Sequence, residues 1–355
     1  MNEPGDNDGV GAAARFGFLR GLAVDLSGNL YVAQRGSATN AGRIRKVTPA
    51  GVVSTLPGAF YSPIGVAVDG GGNIYVADDG TIQQITPTGM VSTLAGPGPI
   101  PRGDRDGIGP LASLDPFGLD IDAAGTILFA DARQVRAMSQ NAAVTALPVP
   151  DPGDGLNPYD VAVDAAGSLY VADYNNARIR KVSGSPRTFS TLAGSGATGH
   201  VDGIGRAARF SAPTGVAVDG SGNVFVADQG SIRRVTSTGV VTTLVETLGD
   251  TWDVAVDANG IVYFGDHRAI QKLTLVGVGE LKITWQAPIS ESPITSYLAT
   301  ATASDQETKT CNSSGETACT LRGLISGVEY DVTVTATSAA GLTSAPSTPV
   351  SATPN

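Results

Sequence analysis

The chain has 355 residues, 46 of them Gly, with 6% aromatic residues and a formal net charge of −10. That length exceeds one ordinary hydrophobic core and points to one large domain plus a small one. Phosphate backbones repel so acidic a chain, which argues against nucleic acid as a partner, and the absence of any run of 18 apolar residues argues against membrane insertion by a helix.

The first residues, MNEPGDNDGVG, lack the basic start and apolar stretch of a secretory leader. They hold an Asp8-Gly9-Val10-Gly11 element, followed by Arg15-Phe16. The element recurs as Asp106-Gly107-Ile108-Gly109 and Asp202-Gly203-Ile204-Gly205, with Ser113-Leu114 and Arg209-Phe210 at equal offsets. Two readings of G-x-A-A-R-F stand side by side: a short amphipathic helix plugging gaps, or a ligand-contacting rim.

A second frame fits six times: 21–34, 65–78, 118–131, 160–173, 215–228 and 253–266, as in GVAVDGSGNVFVAD. Its hairpin residues are Asp25, Asp69, Asp122, Asp164, Asp219 and Asp257, spaced 44, 53, 42, 55 and 38 residues apart. Such a period marks a propeller or a solenoid. GVAVD and LYVAD are short apolar runs rich in β-branched and aromatic residues, split by D-x-x-G turn chemistry. A third strand alternates polar and apolar residues (43–48, 81–86, 178–183, 231–236), and a fourth follows as VVSTL, MVSTL, AVTAL, FSTL and VVTTL. Four antiparallel strands per unit favour radial closure over an open solenoid, so the pattern predicts a six-bladed β-propeller over residues 1–274. Only five fourth strands are visible. The N-terminus starts inside a D-G-x-G loop, where a T-L-A-G strand should precede it. Both ends fit an expectation that the chain is truncated at its N-terminus, the lost segment carrying the strand that closes blade six.

The frame P-x-G-V-A-V-D-x-x-G-N-L-Y-V-A-D-x-x-N-x-R-I-R-K-V resembles the NHL repeat of TolB-like propellers, most closely over Asn157–Val182. The resemblance implies the fold and leaves the function open, since such propellers bind proteins, bind RNA or catalyse.

Residues 275–355 change character. LKITWQAP, SPITSYLATATA, ACTLRGL and EYDVTVTATSAAG are Ser/Thr-rich strands between Pro-bounded turns. They resemble a bacterial fibronectin type III domain, an immunoglobulin-like β-sandwich. The carried-over features are Trp285 on the second strand, Tyr297, and Leu324 with Tyr330 as a tyrosine-corner pair, with Leu273–Val276 as a first strand. Cys311 and Cys319 flank NSSGETA and are placed to pair across a hairpin. A disulfide implies an oxidising compartment, extracellular or periplasmic.

Catalytic signatures are scarce. There are two histidines, His200 and His267, and no C-x-x-C, Walker loop, G-x-S-x-G or H-E-x-x-H. The best site candidates break the repeat. Asp160 and Asp253 stand where four repeats have Gly, and Asp120 stands where the others have Ala. Pointing into a central channel, the three would form an acidic ring able to hold Ca²⁺, the alternative being channel lining. Calcium-dependent lactonases and related six-bladed hydrolases, by resemblance, use a comparable site, although their glutamate ligand has no counterpart here. Tyr159 and Trp252 share one repeat position beside these acids and would make an aromatic mouth able to stack a sugar or grip a peptide. Arg206 and His267 lie in loops of the same face. The composition favours a non-catalytic extracytoplasmic scaffold presenting a loop face to a protein or glycan ligand. The alternatives are a channel-centred metal-dependent hydrolase or lyase, and an accessory module of a polysaccharide-degrading system.

Overall fold

The computed structural model describes residues 5–36, 41–98, 102–147, 155–185, 187–246, 249, 251–266, 269–274, 278–288, 292–303, 308–325 and 329–352. The chain divides into two compact units, Met1–Thr274 and Leu275–Asn355.

The first unit is built from the Asp-x-x-Gly hairpins. Asp25 Oδ1 accepts the Ser27 and Asn29 N–H groups at 2.9 and 2.8 Å, and Asp69 Oδ1 accepts those of Gly71 and Asn73 at the same distances. Gly28 and Gly72 supply the left-handed conformation, with φ of 76° and 80°. A hydroxyl from the second strand completes each cap: Tyr31 donates to Asp25 and Tyr75 to Asp69, both at 3.1 Å. Burial and the Asp25 charge push the Tyr31 phenol up to about 12.

Among the described residues these hairpins form six sheets, whose inner strands are Phe18–Val24, Pro63–Val68, Pro116–Ile121, Pro158–Val163, Pro213–Val218 and Thr251–Val256. Each inner strand packs on the next, and the last packs on the first. The ring is closed: a propeller. The fully buried second strands, such as Leu169–Asp173 and Val224–Asp228, fill the spaces between sheets. Val216, Val224 and Val226 share one cluster with Tyr170 and Ala172 of the preceding sheet.

The Asp-Gly-x-Gly elements are no free rim: the run after each makes a short helical turn whose trailing side chains, Ala14 and Phe16, Ala112 and Leu114, Ala208 and Phe210, are buried between sheets as plugs, and the residues before the turn pair as strands. Gly9–Val10, Gly107–Ile108 and Gly203–Ile204 add a fifth, outermost strand to the first, third and fifth sheets. Each then makes a single 3-10 turn, Gly11–Ala13, Gly109–Leu111 or Gly205–Ala207. A buried arginine of the third strand latches each one. Arg45 meets Asp8 at 2.9 Å, Arg136 meets Asp106 at 3.0 Å and Arg233 meets Asp202 at 2.7 Å. The fourth strand joins in, Thr55 and Thr243 donating both N–H and Oγ to Asp8 and Asp202. Partial burial raises both carboxyls, but these hydrogen bonds and guanidinium groups outweigh it and leave them below the usual range.

The second unit pairs strand Val278–Thr284 with Ala318–Ile325. Its other sheet runs Lys309–Ser313, Ile294–Thr302, Tyr330–Ser338, Val350–Ala352. Leu321, Leu324, Tyr330 and Val332 are buried together between them. Leu273 and Thr274, expected to open this sandwich, instead end the third strand of the sixth sheet, opposite Val262 and Ile261; residues 275–277 lie outside the described set. Trp285 follows the strand ending at Thr284 and packs on Tyr297, ring centroids 5.1 Å apart.

Cys311 and Cys319 form a disulfide. Cys311 lies opposite Ala299 in the four-stranded sheet and Cys319 opposite Ile283 in the other, so the bond staples sheet to sheet. Closing so short a loop stabilises by about 2–3 kcal/mol in the chain-entropy account. The double variant Cys311→Ser/Cys319→Ser, followed by calorimetry, should lower the melting transition of the second unit by that amount and leave the transition of the first unit in place.

Candidate functional site

All six inner strands carry a register irregularity at one level, for example between Pro158 and Asp160, Leu19 and Leu22, and Thr251 and Val254. A β-bulge re-aims the side chain it leaves out of the ladder. The residues at that level are Arg20, Ile64, Phe117, Tyr159, Thr214 and Trp252, and five of them, all but Phe117, line a small antechamber of about 20 Å³ at one mouth of the channel.

Four of the six make a cluster. Arg20 lies over the Trp252 ring, 3.9 Å from its centroid. Its Nη1 also donates to the Tyr159 hydroxyl at 3.1 Å. Tyr159 packs on Phe117, Tyr174 and Trp252 with centroids 5.1, 5.4 and 6.2 Å apart. Arg20, Phe117, Tyr159, Tyr174 and Trp252 are each half-buried, so faces and edges of the cluster remain open to solvent.

One residue deeper, the ring narrows. There the strands approach so closely that only Gly fits at four places. A Cβ on Gly118 would lie 2.8 Å from the Asp160 Cα, and one on Gly215 would lie 2.6 Å from the Asp253 Cα. Asp160 and Asp253 occupy the two remaining places. Each bonds to the neighbouring sheet. Val216 N–H donates to Asp160 Oδ2 at 2.8 Å and Leu22 N–H donates to Asp253 Oδ2 at 2.7 Å. Both acids line the antechamber above and a chamber of about 190 Å³ below. They are therefore the floor of one and the roof of the other.

The two carboxyls act on each other electrostatically, the Asp253 charge disfavouring ionisation of Asp160. Burial pushes Asp253 up to about 7. Burial, then the Asp253 charge, drives Asp160 well above the carboxylate range. Asp120 sits apart, in the lower chamber, and accepts N–H groups from Val163 and Ile121, both at 2.8 Å. Burial pushes it up to about 6. Asp120 and Asp253 are open to the bore yet shielded from bulk water, which is why their carboxyls behave as buried.

The acidic ring expected from sequence is thus a pair plus one. Among the described residues no group of three His, Cys, Asp or Glu side chains is arranged to hold a metal ion. Asp120, Asp160 and Asp253 instead hold neighbouring inner strands through backbone N–H groups, staple fashion. Tyr159, Asp160, Trp252 and Asp253 come together as the sequence suggested. Arg206 does not join them: it is exposed in the turn Gly205–Ala207, beyond the outer strand of the fifth sheet. His267 lies outside the described residues. The other histidine, His200, bonds through Nδ1 to the Ser231 hydroxyl at 3.1 Å.

Fold and mouth together define a closed propeller followed by a disulfide-stapled sandwich. Residues 156–182 match the NHL repeat and residues 269–353 match the Fibronectin type III domain. No curated protein matches the chain. Among solved structures, it is similar to a structural genomics protein of unknown function from Bacteroides thetaiotaomicron, with TM-score 0.62 and 17% identity over 76% of this chain and 73% of that one. It is similar to an auxiliary nutrient binding protein from Bacteroides ovatus, with TM-score 0.60 and 15% identity over 76% and 73%. A gluconolactonase from Xanthomonas campestris gives TM-score 0.55 and 15% identity over 73% and 87%. At such identities the likeness is one of fold, and that fold serves a binding protein and an enzyme alike.

Proposed function

We propose that the protein is an extracytoplasmic, non-catalytic binding scaffold whose propeller mouth receives a glycan or a peptide. The observation that carries this reading is the half-buried cluster of Arg20, Phe117, Tyr159, Tyr174 and Trp252 above a narrow floor. Aromatic faces with adjacent guanidinium and hydroxyl donors bind sugar rings and extended peptides at a surface. The antechamber beneath them is small, about 20 Å³, room for a single water. The Cys311–Cys319 disulfide and the nutrient-binding neighbour support an extracellular or periplasmic setting. No helix among the described residues is long and apolar enough to cross a membrane.

The alternative, a hydrolase or lyase working in the channel, takes its support from Asp160 and Asp253, whose carboxyls burial holds above the carboxylate range, and from the lactonase fold-neighbour. One set of measurements separates the two. The intact chain is screened on glycan and peptide arrays, and hits are quantified by calorimetry with Trp252→Ala and Asp253→Asn. The binding reading expects Trp252→Ala to weaken the ligand by about ten- to a hundredfold, the scale for removing one stacked aromatic anchor, with Asp253→Asn near wild type. A ligand indifferent to Trp252, or turned over only when Asp253 is intact, would reject it.

A further inference from the structure

On this acidic chain Arg43, Arg45, Arg102, Arg136, Arg180 and Arg233 each reach an aspartate. Two arginines at the propeller mouth do not. Among the described residues no carboxylate pairs with Arg20 or with Arg35.

The two arginines stand close in the fold. Arg35 ends the second strand of the first sheet and lies opposite Phe18, two residues ahead of Arg20. Arg20 is half-buried over Trp252, and its hydrogen-bond acceptor is the Tyr159 hydroxyl, a neutral group, at 3.1 Å. Burial first, and the charge of Arg35 with it, lower the Arg20 guanidinium from its ordinary value. A half-buried cation is ordinarily settled by a carboxylate, because its lost hydration is otherwise uncompensated. Here the charge that reaches it is a second cation.

The acids nearby are engaged or held protonated. Asp115, two residues before Phe117, meets Arg102 at 2.9 Å, and Asp79 meets the same guanidinium. Asp160 and Asp253 lie beneath the mouth, where burial pushes Asp253 up to about 7 and Asp160 well above the carboxylate range. Among the described residues the mouth therefore presents positive charge, on a chain whose net charge is −10.

We infer that the mouth takes a glycan bearing carboxylates, a uronate-containing oligosaccharide, with a sugar face on the cluster of Tyr159 and Trp252 and a carboxylate held between Arg20 and Arg35. This rests on the binding reading of the mouth and narrows its ligand class. A guanidinium fork matches a carboxylate with two parallel donors, and such charge-assisted bonds are about twice as strong as neutral ones. An acidic peptide is the competing ligand. Peptides are read through pockets for their side chains, and the space beneath these rings, about 20 Å³, has room for a single water. Ring faces beside cations are the complement of a flat sugar face beside a carboxylate.

The test is calorimetry on the full chain with tetramers of galacturonate, mannuronate and guluronate, the same tetramers with their carboxyls reduced to primary alcohols, and tetraglutamate. At least one uronate is expected to bind, its reduced form at least about tenfold more weakly. Arg35→Gln, a change at an exposed position, should weaken that uronate about two- to fivefold and leave the reduced form unaltered. Arg20→Gln, checked for folding by circular dichroism, should weaken it at least about tenfold. Arg206→Gln, beyond the outer strand of the fifth sheet, should change nothing. Equal binding of a uronate and its reduced form, both lost with Trp252→Ala, overturns the charge assignment while the binding mouth stands. Uronate binding indifferent to Trp252→Ala rejects the mouth itself. No uronate bound up to millimolar concentration overturns the inference, and tetraglutamate bound more tightly than every uronate through Arg20 and Arg35 overturns the choice of a glycan.

Discussion

Raising the pH from 5 to 8 should destabilise the propeller, and Asp253→Asn should remove the Asp253 share of that dependence, leaving the shares of Asp120 and Asp160, which burial raises in their own right. In the unfolded chain these carboxyls ionise near the ordinary value, about 3.9. In the folded ring burial holds Asp253 protonated until about 7 and keeps Asp160 well above the carboxylate range. Between those limits the folded state binds more protons than the unfolded state, so stability falls as pH rises. From pH 5 to a folded value of about 7, the Asp253 share of the loss is bounded at about 3 kcal/mol. Asp8, Asp25, Asp69 and Asp202 act in the opposite window. Hydrogen bonds hold their folded values below normal, so they stabilise above about pH 4 and their contribution is lost in acid. Urea unfolding of wild type and Asp253→Asn at pH 5, 6.5 and 8 checks the prediction. Parallel slopes with pH would mean that Asp253 does not titrate in this window in the folded ring.

The repeat made the sheets legible because each hairpin is locally determined. Asp25 and Gly28 set the turn, Leu30 and Val32 face a neighbour, and the same solution recurs down the chain. The aromatic mouth was legible in part, since Tyr159 and Trp252 stand out at one repeat position. Its mechanism was not: a bulge is a matter of register between strands, and single residues do not announce it. The long loops were read as plugs between sheets, but their outer strand was missed for a related reason. Asp-Gly-x-Gly looks like turn chemistry, and its partners lie 30 to 47 residues away, on the third and fourth strands. A signal was nonetheless present. The third-strand positions of sheets one, three and five are Arg45, Arg136 and Arg233, while sheets two and six have Gln83 and Gln271. Arginine there accompanies the long loop. Arg180 of the fourth sheet is the exception and meets Asp173 at 2.7 Å and Thr191 at 2.9 Å, within its own sheet.

Arg136→Ala should cost about 3–5 kcal/mol, among the largest single-residue losses in the chain. Its guanidinium is fully buried. Nη1 donates to Asp131 Oδ2 at 2.6 Å and to Ser113 O at 2.8 Å, and Nη2 donates to Asp106 Oδ1 at 3.0 Å. Asp131 is itself fully buried, and burial holds its carboxyl above normal despite the arginine. Removing the cation leaves that charge with the Asp115 N–H at 2.6 Å as its main support, and it frees Asp106 and the outermost strand Gly107–Ile108 together. The two losses can be apportioned. Asp131→Asn in the Arg136→Ala background removes the orphaned charge and should recover about 1–3 kcal/mol, the usual size of coupling between groups in one buried network. What the double variant does not recover belongs to the latch: Asp106, its strand and the packing of the alkyl stem. Urea unfolding of the single and double variants measures both parts. If Arg136→Ala cost under about 1 kcal/mol, the latches would be decoration on a ring that closes without them.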